Sequence, residues 1–185
     1  KGVPYRTIWV NDDGWSVGII DQTKLPHAFI TTELKTWEEA AHAIKAMIVR
    51  GAPLIGATAA YGLALAMRAD ASDAALDQAH KTLMATRPTA INLRWALDAM
   101  RSMLRPLPPS ERTAAGYCRA SEIAEEDIAI NKEIGRHGLG LIEALDRANA
   151  WSIEHRIEAT LQRLKLPADA LVESLSGGLR KRVAV

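Results

Sequence analysis

Cysteine is nearly absent from this 185-residue chain: Cys118 stands alone, so no intrachain disulfide framework exists and the composition fits a reducing cytoplasm. Phenylalanine is also present once, and aromatic residues make up only 5%. A charge excess is missing too. The formal net charge is +1, which removes the global field that strong nucleic-acid or membrane partners would call for. The most apolar run, Leu54 to Met67, is shorter than the ~20 residues of a membrane span and is rich in alanine and glycine, so it is expected to be a core helix. No P-loop is present either. Gly51, Gly56 and Thr58 have the right spacing, but Ala57 occupies the place of the phosphate-binding lysine, and a helix rather than a strand precedes it.

What remains is a globular composition, 48% hydrophobic and 24% charged, on a chain long enough for one sizeable core or two small ones. Arg6 to Val10 and Ser16 to Ile20 are β-rich runs joined by Asn11-Asp12-Asp13-Gly14, a hairpin turn whose glycine supplies positive φ. A third strand is expected at Ala28 to Thr32. Thr36 and Glu39 form a capping box, and Trp37, Ala40, Ala41, Ile44 and Ile48 follow at helical spacing in a helix running to Val49. Ser72 caps a helix through about Leu83. After the turn Arg87-Pro88-Thr89, Leu93, Ala96, Leu97, Met100 and Leu104 share one helical face, with Trp95 expected in the core. A long helix runs from Glu111 to about Gly135, carrying Glu125, Glu126 and Asp127 on a solvated face. A further helix starts near Gly138. The expected fold is α+β and mostly helical, a small N-terminal antiparallel sheet packed on a helical bundle.

The stretch Arg50-Gly51-Ala52-Pro53 is the candidate site. Pro53 suits a first helical turn, and the amides there lack internal partners, so the helix dipole and the neighbouring Arg50 favour an anion such as phosphate. The same residues also fit a tight helix-to-helix turn before a buried helix whose small residues permit close packing.

Four motifs in order carry a family resemblance: Pro4-Tyr5-Arg6-Thr7-Ile8-Trp9, Ile19-Ile20-Asp21-Gln22, the run from Ile48 to Gly62, and Arg87-Pro88-Thr89-Ala90-Ile91-Asn92-Leu93-Arg94-Trp95. Together they resemble the methylthioribose-1-phosphate isomerases of methionine salvage over about residues 1–142, within a superfamily that also holds regulatory subunits of the exchange factor for a translation initiation factor. Arg94 favours the enzyme branch. The resemblance implies aldose–ketose isomerisation of a phosphorylated sugar without a metal or other cofactor, with Arg50, Gly51, Ala52 and Arg94 binding substrate. The family's catalytic cysteine loop and catalytic aspartate have no counterpart in these 185 residues, and Cys118, mid-helix with no histidine beside it in sequence, does not replace them. No catalytic residue is therefore assigned.

Residues 143–185 resemble something else. Leu166-Pro167-Ala168-Asp169 and Leu175-Ser176-Gly177-Gly178, followed by Arg180-Lys181-Arg182, are similar to ABC-F ATPases of the Uup type, whose signature motif is Leu-Ser-Gly-Gly. That resemblance implies weak nucleotide binding at Ser176, Gly177 and Gly178. A Ser-Gly-Gly turn between helices is the plain alternative, and the balance of basic and acidic residues in this tail argues against a nucleic-acid partner. Two unlike segments joined near residues 142–147 would make the chain a chimera and a helical scaffold rather than an enzyme. Ile153, Ile157, Leu161 and Leu164 form an apolar stripe that offers a homodimer contact.

Overall fold

The structure, a computed structural model, describes residues 5–148, 150 and 153–184. It divides into two compact units, 1–130 and 131–185.

In the first unit, β1 (Ile8–Val10) and β2 (Val17–Ile20) form the expected hairpin, with Ile8 opposite Ile19 and Val10 opposite Val17. Gly14 closes the turn at φ +78, and the Asp13 carboxylate accepts from the amides of Trp15 and Ser16. The third strand lies later than expected. β3 (Thr31–Leu34) pairs antiparallel with β2, Leu34 facing Val17 and Thr31 facing Ile20. The reason is burial: Leu34 is 2% exposed, whereas Phe29 and Ile30, which the earlier register would use, stay at the surface.

The capping box forms as the sequence predicts, the Thr36 side chain accepting from the Glu39 amide while Glu39 accepts from the Thr36 amide at 3.1 Å. Helix α1 (Trp37–Lys45) then stops short of Val49. Met47 adopts φ +58, its amide returns to Ile44 and that of Ile48 returns to Ala43, so a Schellman motif ends the helix with methionine where glycine is usual. Val49 drops into the core behind this turn.

Helix α2 (Ala52–Ala69) is the centre of the unit, buried at every position from Leu54 to Met67. It is surrounded by α1, α3 (Asp73–Thr86, capped by Ser72) and α4 (Ile91–Leu104). Its small residues are what permit this: a Cβ on Gly62 would stand 3.2 Å from Ala40 and from both methyls of Leu83. Leu93, Ala96, Leu97, Met100 and Leu104 are all buried, as their spacing requires.

Helix α5 (Pro109–Arg147) does not end at Gly135 and no new helix starts at Gly138; one helix contains both. A glycine in a helix interior costs only about 1 kcal/mol relative to alanine, and no proline interrupts the segment. Its first half belongs to the core through Gly116, Ala120, Ile123 and Ala124. There Tyr117 donates to the Trp15 carbonyl at 2.7 Å, and burial pushes its phenol up to about 12. Arg112, buried on the same helix, donates to the carbonyls of Leu107, Ala71 and Arg105 at 2.9–3.0 Å and lies 2.7 Å from the Asp73 carboxylate.

The second unit holds the last turns of α5, then α6 (Ile153–Leu164) and α7 (Gly177–Val183). A second Schellman motif ends α6, with Lys165 at φ +53 and the Leu166 amide returning to Leu161. Leu175 is the one large apolar side chain of α6, α7 and their connection that is buried. No helix among the described residues is long and apolar enough to cross a membrane.

Candidate functional site

Two helix starts meet in the first unit. A Cβ on Gly56 would lie 3.0 Å from the Asn92 carbonyl oxygen and 3.6 Å from Ala96, so the second turn of α2 rests on the first turns of α4. Farther along, Ala64 and Leu104 both lie within 4 Å of the Cβ position of Gly116. The two helices therefore run parallel, and their positive ends share one side of the unit.

These two ends differ from their neighbours. Helices α1 and α3 each have a side-chain cap and an acidic residue in the first turn. Helices α2 and α4 have neither: Gly51 and Ala90 stand at their N-caps, and no carboxylate follows within a turn. Free amides and uncompensated dipole are left facing outward. Gly51 adopts φ +94, a conformation that strains any other residue. Pro53 falls within the first two positions of α2, as expected.

Arg50, Gly51 and Ala52 are exposed just before this turn, and Arg50 Nε donates to the Met47 carbonyl at 3.2 Å. The Schellman turn thus holds the base of the arginine side chain. The Arg50 charge also helps keep the Asp21 carboxyl below its usual range, behind the larger effect of the Thr23 hydroxyl donating to it. Arg94 is exposed in the first turn of α4 and donates to the Pro88 carbonyl at 3.3 Å. The two arginines stand in separate sequence motifs, more than forty positions apart. The structure attaches them to adjoining helix starts.

Beside them is a cleft lined by Pro53, Gly56, Asn92, Trp95, Ile123, Glu126, Asp127 and Ile130. Trp95 is not a core residue; it is 50% exposed and forms part of this wall. The acidic run keeps Glu125 and Glu126 exposed as expected, but successive residues on a helix point about 100° apart and the three carboxylates separate. Glu125 forms a two-pronged pair with Arg6, Glu126 binds Arg119 at 2.9 Å, and Asp127 is partly buried at the cleft. The cleft wall is mostly apolar, formed by Pro53, Trp95, Ile123 and Ile130, with the carboxylates of Glu126 and Asp127 on the α5 side and Asn92 on the α4 side. Asn92 and Trp95 are neighbours by their i,i+3 spacing on α4, but no signal in the sequence identified Glu126 and Asp127 as facing them, since that adjacency depends on how α4 and α5 cross.

The remaining candidates lie elsewhere. Cys118 is exposed, its thiol 3.6 Å from the Glu122 carboxylate. In the second unit, the Ser176 hydroxyl accepts from the Leu179 amide at 3.4 Å, capping a helix of only seven residues that begins with Gly177 and Gly178. Its hydroxyl is occupied by its own helix. Among the described residues no three histidine, cysteine or acidic side chains are grouped to hold a metal ion.

The Initiation factor 2 subunit family matches residues 48–153, and the chain belongs to that family. Its N-terminal part is a methylthioribose-1-phosphate-isomerase-like domain: the enzyme of that name from Rhodospirillum centenum is 59% identical over 148 residues, covering 80% of this chain and 40% of the relative. The crystal structure of 5-methylthioribose 1-phosphate isomerase from Pyrococcus horikoshii superposes with a TM-score of 0.66 at 37% identity, over 72% of this chain and 39% of that one. The delta subunit of translation initiation factor eIF-2B from A. fulgidus gives 0.61 at 36% identity, over 68% and 38%. The chain thus spans about 40% of the length of the curated isomerases it matches.

Proposed function

We propose that this chain is the phosphosugar-binding part of a methylthioribose-1-phosphate isomerase, with Arg50, Gly51, Ala52 and Arg94 as its substrate contacts. The observation that carries the reading is the pair of adjoining helix starts, each without a cap or a carboxylate and each with an arginine beside it. A sugar phosphate supplies the dianion such a place favours. Binding is weak, because Arg50 and Arg94 are both exposed and water competes for them. The chain binds substrate without turning it over, and the same reading places it in the cytoplasm. Calorimetry with methylthioribose-1-phosphate tests it. Losing one charge-assisted contact is worth roughly 1.5–3 kcal/mol, so Arg94→Ala weakens binding tenfold or more; equal affinities remove Arg94 from the site.

Residues beyond the family match support a second reading for the tail alone. The match ends at residue 153, leaving α6 and α7 outside it, which suits a chimera with an ABC-F-like segment. The capped Ser176 and the short α7 weigh against nucleotide binding there. ATP turnover that vanished in Ser176→Ala would establish it. Self-association as a homodimer completes the reading of partners: Ile153 and Ile157 are 49% and 54% exposed on α6, while Leu161 and Leu164 of the same stripe are half-buried.

A further inference from the structure

The cleft beside the two helix starts differs in chemistry from the starts themselves. It encloses about 280 Å³, at the lower end of the volumes that hold small molecules, and its walls are mostly apolar. Pro53 and Asn92 belong to both places, since each sits in the first turn of its helix and also lines the cleft. A ligand whose anion rests at the helix starts therefore reaches the cleft without a break. Trp95 stands three residues beyond Asn92, ~4.5 Å farther along α4, and half of its surface stays exposed. On α5, Ile123 and Ile130 are seven residues apart, so they point nearly the same way and frame the facing wall over ~10 Å. Between them stand Asp127 and Glu126, the latter paired with Arg119 at 2.9 Å.

We infer that Trp95 and the isoleucine wall of this cleft hold the alkylthio end of the phosphosugar and set a preference there for a thioether over a hydroxyl. The inference rests on the phosphosugar reading and adds which way round the ligand lies. Two observations carry it. The first is electrostatic: the carboxylates of Glu126 and Asp127 disfavour a dianion, whereas the uncapped starts of α2 and α4 favour one, so the phosphate is directed to the starts and the rest of the molecule to the cleft. The second is the apolar lining. A sugar ending in a hydroxymethyl group would give up water against an indole, a proline and two isoleucines and gain no partner from them. An alkylthio group loses no hydrogen bond there, and its polarisable sulfur suits the edge of an indole. Asn92, at the mouth of the cleft, is left as the polar contact for a ring hydroxyl close to the phosphate.

Calorimetry on the full chain with methylthioribose-1-phosphate and with ribose-1-phosphate, the same anion carrying a hydroxyl in place of the thioether, tests the assignment. Burying one methylthio group is worth about tenfold, so the first sugar is expected to bind about ten times more tightly than the second. Trp95→Ala is expected to bring the two within about threefold of each other, while Arg94→Ala weakens both and keeps their ratio. A purely structural role of Trp95 would not move that ratio, because a damaged fold weakens both sugars alike. Ile130→Asp repeats the test from the other wall, at a position 58% exposed where the fold is not at stake. Equal affinities of the two sugars for the unaltered chain overturn the cleft assignment and leave the phosphosugar reading standing. A tenfold ratio that survives both substitutions overturns it as well, because the thioether then lies elsewhere. Binding of neither sugar removes both readings.

Discussion

The two units are built from the same material, amphipathic helices with polar caps, yet they differ in what the apolar side chains touch. In the first, α2 is buried all round, and the inward faces of α1, α3, α4 and the start of α5 close on it. In the second, α6 has as regular an apolar face as α1 but no buried residue. Helical periodicity is thus a statement about one element, whereas a core is a statement about several. The first unit has a core because the small residues along α2 let four helices approach it at once. Among its described residues the tail contains no comparable element.

Arginines that cap carbonyls make the contrast measurable. Arg112 in the first unit is buried and serves three carbonyls. Arg180 in the second serves those of Leu175 and Glu173 at 2.9 and 2.6 Å but is exposed. Removing Arg112 leaves buried acceptors without donors, so Arg112→Ala is expected to cost about 3 kcal/mol, against less than ~1 for Arg180→Ala. Urea unfolding followed by tryptophan fluorescence in a Trp151→Phe background reads the first unit, where Trp9, Trp15, Trp37 and Trp95 lie. Equal shifts in midpoint would show that the two units unfold as one.

Helix caps sharpen the same comparison at smaller scale. Thr36→Ala breaks a capping box on a helix whose far side is core, and about 1 kcal/mol of global stability goes with it. Ser176→Ala breaks an equivalent cap on α7, where far-UV ellipticity should fall slightly and the fluorescence midpoint stay in place. A midpoint that moved as much as for Thr36 would mean that the tail supports the first unit.

A third, weaker effect is expected on the alkaline side. Burial raises the Tyr117 phenol from about 10 to about 12. The folded form holds its proton where the unfolded chain releases it, so this contribution is complete below pH ~10 and declines as pH rises toward 12. Thermal melts across that range should lose stability with a steeper slope than Tyr117→Phe, even though the variant starts lower for want of its bond to the Trp15 carbonyl. Parallel slopes would place the tyrosine in solvent.

Much of the fold was legible in the sequence for local reasons. A capping box, an Asp-Gly turn, a proline in a first helical turn and a one-sided run of leucines are each written within a few residues, and each formed. The misplaced third strand and the early end of α1 share a different cause. Leu34 outcompetes Ile30 for the sheet's inner face only because a core lies beneath it. Met47 takes a glycine's conformation only because Val49 must turn inward behind it. Likewise Gly135 and Gly138 read as breaks in sequence but were overridden by the helix formers around them.

The candidate site divides along the same line. The stretch Arg50-Gly51-Ala52-Pro53 was legible as a candidate because a helix start next to an arginine is a local pattern, whereas Arg94 was a candidate only through the family resemblance. That α2 and α4 begin side by side, that Trp95 turns to a cleft instead of the core, and that Glu126 and Asp127 face Asn92 were decided by packing alone. The sequence by itself determined which helices exist, where most of them start and which face of each is apolar, because those depend on hydrogen bonds and spacing within a few turns. Only the tertiary structure decided which ends adjoin, because that depends on where a missing Cβ, as at Gly56, lets two backbones come within contact.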